Sequence, residues 1–224
     1  MLSELIHPIH FFVAVGPLAV YLLVLGVINL SSRPFITTGA RDAAALGVGV
    51  GGFVIIGPVY LLLPSETMFF FGTFVWLMLL ALYVLVMSLF VLLLRPRLVI
   101  YNLPAERVRP MLATLVTQLD DQARWAGGCL VLPQLGVQLH VESAPSMRNV
   151  QLVSVGAEQS YEGWQRLHRA LVEALRETRG VRNPVGFSLL FFGLVAIGLV
   201  TVWFAQDPET VAQTVQDMLG LTNE

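Results

Sequence analysis

The sequence predicts an α-helical integral membrane protein with four transmembrane helices and an inserted small cytoplasmic α+β domain. Three observations predict it: four long apolar stretches, one amphipathic segment between the third and the fourth, and a lopsided distribution of positive charge. Of 224 residues 56% are hydrophobic and 12% charged, and the mean hydropathy of +0.74 lies far outside the range of an ordinary soluble domain.

The four stretches run over about residues 11–30, 43–63, 68–94 and 185–205, and none carries a charged residue in its interior. Each is long enough to cross a hydrocarbon core of roughly 30 Å at about 1.5 Å per residue. All 13 basic residues are arginines, confined to the segments Arg33 to Arg41 and Arg95 to Arg182. The positive-inside rule therefore places both segments in the cytoplasm and both termini outside a bacterial inner membrane. Arg33, Arg41, Arg95, Arg97, Arg176, Arg179 and Arg182 lie near span ends and are the expected topology and headgroup anchors. The amino-terminal run MLSELIHPIH has no positive n-region, so a cleaved signal peptide is not expected.

The resulting organisation is three transmembrane helices in 1–94, a cytoplasmic domain in 95–184, a fourth helix in 185–205 and an external tail in 206–224. In the domain, Leu98 to Tyr101 reads as a strand. Val108, Met111, Leu112, Leu115, Val116 and Leu119 then mark one helix face, which Gly127-Gly128 is expected to close. Cys129 to Leu132, Val137 to Val141 and Val150 to Val155 read as three more strands. In the middle one Val137, Leu139 and Val141 alternate with Gln138, His140 and Glu142, the mark of a sheet with one buried face. A second helix begins near Ser160 and carries Tyr161, Trp164, Leu167, His168, Leu171, Val172 and Leu175 on one side. The predicted order is β-α-β-β-β-α, with both helices on the apolar face of an antiparallel sheet. Asp207 and Pro208 open a further helical pattern in the tail, expected at the outer interface.

Within the spans, Ala43, Gly47 and Gly51 form a small-residue ladder that lets a helix approach closely. Packing inside the chain's own bundle is favoured over a homo-oligomer interface. Gly-Pro pairs at Pro17 and Pro58 are expected to kink or loosen their helices. His7 and His10 could share a helix face as metal or haem ligands, but two ligands on one turn are not a site, so no metal or cofactor is expected. Asp42 and Arg41 are expected to form a local ion pair or touch headgroups.

For catalysis the polar residues available are His140, His168, Glu142, Asp120, Asp121 and Cys129, and no nucleophile-elbow, phosphate-loop or metal-ligand spacing surrounds them. Asp120 and Asp121 read as a solvated helix end, and Cys129 as a small buried hydrophobe. The arginines are interleaved with acidic residues, unlike the one-signed patch of a nucleic-acid binder.

The stretches RPFITTGARDAAALGVGVGGFVIIGP, RWAGGCLVLPQLGVQLHVES, MRNVQLVSVG and SYEGWQRL resemble those of uncharacterised multi-span inner-membrane proteins of planctomycete-type bacteria. That resemblance implies an inner-membrane location and carries no catalytic residues. The expected function is a non-enzymatic membrane scaffold or accessory subunit that presents a cytoplasmic docking domain to other membrane or cytoplasmic proteins. The alternative is a subunit of a membrane transporter or membrane-embedded enzyme whose polar site is completed by other chains.

Overall fold

The computed structural model describes residues 8–59, 74–144, 149–157, 159–206 and 208. The chain forms two compact units, one of Met1–Val24, Ala44–Val91 and Leu189–Glu224, the other of Leu25–Ala43 and Leu92–Ser188.

The first unit is apolar and helical. It draws on α1 (Pro8–Leu30), α2 (Gly39–Val54), α3 (Phe74–Leu93) and α6 (Val185–Gln206). Among the described residues three helices are long and apolar enough to cross a membrane, His10–Leu30, Gly39–Gly57 and Val185–Gln206. The third predicted span coincides in part with α3, which is not one of these three, and residues 68–73 of that stretch lie outside the described residues. His7 and most of the predicted tail helix lie outside them as well. The small-residue ladder of α2 is in contact with side chains of this same unit. Gly47 faces Met87, and a Cβ added at Gly51 would meet the Tyr83 ring at 2.9 Å. The Tyr83 hydroxyl donates to the Gly47 carbonyl at 2.6 Å, so the close approach also satisfies a phenol inside an apolar bundle. Phe11 stacks on Trp203 with ring centroids 5.0 Å apart. α1 runs through Pro17, whereas α2 opens into a π-helical turn, Ile55–Val59, at Pro58, which has no N–H to give the α-helical ladder.

The second unit holds a six-stranded antiparallel sheet and two helices. Its strands are β1 (Phe35–Thr38), β2 (Arg97–Tyr101), β3 (Arg124–Ala126), β4 (Cys129–Leu132), β5 (Val137–Ala144) and β6 (Asn149–Ser154), in the spatial order β1-β2-β6-β5-β4-β3. Leu98, Ile100, Leu130, Leu139, Val141 and Leu152 point to one face. There they are buried against Val108, Leu112 and Val116 of α4 (Ala105–Leu119) and Trp164, Leu167, Leu171 and Leu175 of α5 (Tyr161–Arg176). On the other face Gln138 and Glu142 are exposed and His140 is half-buried, so the period-2 reading of β5 places its polar residues correctly. α5 starts where Ser160 Oγ accepts from the Gly163 N–H at 3.1 Å, a cap worth about 1 kcal/mol.

Two strands depart from the predicted order. β1 lies in the segment between the first two apolar helices and pairs with β2, Ile36 opposite Ile100 and Thr38 opposite Leu98. β3 pairs with β4, and Gly127-Gly128, expected to close the helical unit, instead makes the two-residue hairpin turn between them, with Gly127 at φ 63°. The helix itself ends earlier, at Leu119. Asp120, predicted as a solvated helix end, is 1% exposed. Its carboxylate accepts from the backbone N–H groups of Gln122 and Gln134 at 3.0 and 2.9 Å and so holds the loop before β5.

Three buried asparagines tie this sheet to the ends of two apolar helices. Asn102 Nδ2 donates to the carbonyls of Ile28, in the last turn of α1, and of Ser31, just beyond it. Asn183 does the same work for two helices. Its N–H donates to the Asn29 carbonyl at 2.8 Å and its Nδ2 to Asn29 Oδ1 at 3.1 Å, while its own Oδ1 accepts from Val185 N–H at 3.1 Å at the start of α6. Asn102 holds φ at 62°, a left-handed conformation that asparagine tolerates better than most residues. Asn102→Ala is expected to lower stability by about 2–4 kcal/mol, because backbone strain adds to two lost hydrogen bonds. Asn102→Gly, which removes only the bonds, should cost visibly less. Chemical unfolding of the purified protein measures both, and equal costs would refute the backbone contribution.

Candidate functional site

Seven arginines were singled out as span-end anchors, and the fold brings three of them together. Arg41, in the first turn of α2, Arg95, between α3 and β2, and Arg97, the first residue of β2, line a cavity of about 550 Å³. Thr38, Ala40, Leu94, Pro96 and Leu98 complete that side. The first turns of α5 supply Tyr161, Trp164, Gln165 and His168, with Gln159 just ahead of them. The pairing of β1 with β2 creates the juxtaposition, since it sets Thr38 opposite Leu98 and so carries Arg41 toward Arg97.

Local chemistry fixes the walls. The Arg41 N–H donates to Thr38 Oγ1 at 3.3 Å, which starts α2 at the end of β1. Gly39 lies directly under the Arg97 side chain, where a Cβ would collide with its stem. Arg97 Nε is buried and has no hydrogen-bond partner among the described residues. Trp164 Nε1 donates to Gln159 Oε1 at 2.9 Å, which orients the indole that closes the apolar side.

Among the described residues the lining contains three arginines and no Asp or Glu. The expected Arg41–Asp42 ion pair does not form: Asp42 Oδ1 accepts from the Tyr101 hydroxyl at 2.6 Å instead. Among the described residues the one salt bridge is Arg176–Glu173, exposed and 3.6 Å long. Burial, and then the positive charge of Arg41, hold the His168 imidazole below its ordinary pKa. At neutral pH His168 is therefore a neutral hydrogen-bonding group beside three fixed cations. Such a cavity can bind an anion, with Arg97 Nε offering a desolvated donor.

The remaining predicted residues lie elsewhere. Arg33, Arg176, Arg179 and Arg182 do not line the cavity. Ala43, Gly47 and Gly51 belong to α2, and His10 to α1. No cluster of three or more metal-ligating side chains exists among the described residues. Cys129 is half-buried on the polar face of the sheet, with Sγ 3.8 Å from His140 Nδ1 across the β4–β5 pair. The strand alternation that buries Leu130 and Leu132 turns it away from the core. Sequence reasoning missed Tyr161, Gln159 and Gln165 as cavity residues. Their position follows from the packing of α5 on the sheet, and they meet the arginines only through the β1–β2 pairing, for which no local pattern gives a signal.

No protein-family model, curated protein or solved structure matches the chain.

Because the folded chain favours neutral His168, the associated stability is present above about pH 6.5 and declines as pH falls through the depressed folded value. An NMR titration of His168 should give a midpoint below the ordinary one, and Arg41→Gln should raise it. A midpoint that does not respond to Arg41→Gln would contradict the assigned cause.

Proposed function

We propose that this chain is a non-enzymatic, four-span protein of the bacterial inner membrane, of the planctomycete-type group that its sequence resembles. In this reading both termini lie outside, residues 95–184 lie in the cytoplasm, and the protein serves as a scaffold or accessory subunit. The arginine distribution and the three helices long enough to span a bilayer support the placement.

The observation that carries the docking role is Trp125. It sits on β3, an edge strand, opposite Leu130 and hence on the core side of the sheet, yet it is 41% exposed and stands outside the core cluster. An aromatic side chain beside an unpaired strand edge suits a protein partner that adds an extended segment to the sheet and covers the indole. The other edge, β1, is flanked closely by α1 and α2 in the chain, so β3 is the more accessible of the two.

A photo-crosslinking residue at position 125, used in intact membranes, is expected to give one discrete protein adduct. The same residue at Arg109, exposed on α4, should give none. Trp125→Glu should reduce co-purification of that adduct's protein at least about tenfold, as loss of an aromatic anchor does. Equal labelling from both positions, or recovery of the protein alone after crosslinking, would sink the docking reading.

A further inference from the structure

We propose that the cavity bounded by Arg41, Arg95, Arg97, Trp164 and His168 is a receptor for a phosphate group, and that the phosphate belongs to the headgroup of an anionic phospholipid. The inference is independent of the docking role and rests only on the membrane placement of α3.

Charge is the first argument. Three arginines line one cavity of about 550 Å³, none of them in a salt bridge among the described residues, and no carboxylate-bearing residue lines it among the described residues. Like charges around one cavity repel one another, and a bound anion offsets that repulsion. Asp42, the acid closest in sequence to Arg41, is occupied by Tyr101. The second argument is the Arg97 Nε atom, buried and without an acceptor among the described residues. A buried guanidinium N–H is costly unless an acceptor reaches it, and a phosphate oxygen is the acceptor its planar fork matches best. Gly39 has no Cβ, and the Arg97 stem lies in the space a side chain there would fill.

The source of the phosphate follows from the rest of the wall. Leu94 and Arg95 directly follow α3, and Leu94, Pro96, Leu98 and Trp164 make much of the lining apolar. A soluble phosphate would leave this surface wet. A glycerophospholipid places phosphate on the arginines and its glycerol and first methylenes on the apolar side, at the depth where basic residues meet headgroups.

The test uses the full-length protein in nanodiscs of phosphatidylcholine containing a minor fraction of phosphatidylglycerol, with the lipids retained after transfer to detergent counted by native mass spectrometry. The wild type should retain phosphatidylglycerol in preference to phosphatidylcholine. Arg41→Gln/Arg95→Gln/Arg97→Gln should lose that preference by about tenfold or more, given the contribution of each basic residue to headgroup attraction. Arg166→Gln/Arg169→Gln, which removes two exposed charges of α5, should leave it unchanged. If the triple variant does not fold, Arg41→Gln alone should give a smaller loss of the same sign. A second arm adds inorganic phosphate to detergent-purified protein and follows the thermal midpoint. Stabilisation by inorganic phosphate equal to that by the lipid, and lost in the variant, would keep the phosphate site and overturn the lipid assignment. Equal retention of both lipids by the wild type, or unchanged preference in a folded variant, would overturn the proposal.

Discussion

Helix ends leave backbone acceptors and donors without partners, and in this chain three buried asparagines meet that demand. Asn102 reaches from the end of β2 to the last carbonyls of α1, and Asn183 links α1 to the first turn of α6. Each such bond contributes about 1 kcal/mol net, but an orphaned buried amide costs more, so the set holds together or fails together. Around it the backbone follows. Val181 N–H donates to the Asn102 carbonyl at 2.8 Å and Gly180 N–H to the Ser32 carbonyl at 2.9 Å, which brings the segment after α5 alongside the segment after α1. Gly186 completes the approach, because a Cβ there would lie 2.8 Å from the Gly26 carbonyl oxygen.

The arginine cavity depends on this arrangement. Once the segment after α1 is held at Asn102, Phe35 to Thr38 lie beside β2 and pair with it residue for residue. Pairing delivers Arg41 and Gly39 to Arg97, and the sheet core that buries Leu98 and Ile100 also seats α5, whose first turns bring Trp164 and His168. The unit that holds the sheet is thus built partly from helix ends, the last turn of α1 and the first of α6. For an anionic headgroup this matters, since the arginines come from two chain segments, one at the start of α2 and one at the start of β2, and the site exists only while they are held in register.

Local signals in the sequence carried much of the sheet and little of the site. Alternation in Val137, Leu139 and Val141 and the 3.6-residue spacing of Val108, Leu112 and Val116 are visible within a dozen residues, and both elements are where that spacing puts them. β1 is four residues, FITT, between a proline and a glycine, and its stability comes from a partner more than sixty residues away. β3 contains an arginine and an exposed tryptophan and has no alternation to read. Asp120 looked like a solvated acid because its partners, Gln122 and Gln134, are recognisable only once the loop has folded over it. The arginines were legible as markers of orientation. That Arg41, Arg95 and Arg97 share a cavity whereas Arg33, Arg176, Arg179 and Arg182 do not is a property of long-range strand pairing.

The central claim is that the sheet and the ends of α1 and α6 form one cooperative unit. Amide hydrogen exchange on the full-length protein in nanodiscs tests it most directly. The β1 amides bonded to β2, together with those of Asn183 and Val185, should be protected and should lose protection together with β2 as denaturant is added. Rapid exchange of β1 and of Asn183 while β2 and β6 stay protected would contradict the account, and would return the segment after α1 to the status of a plain linker.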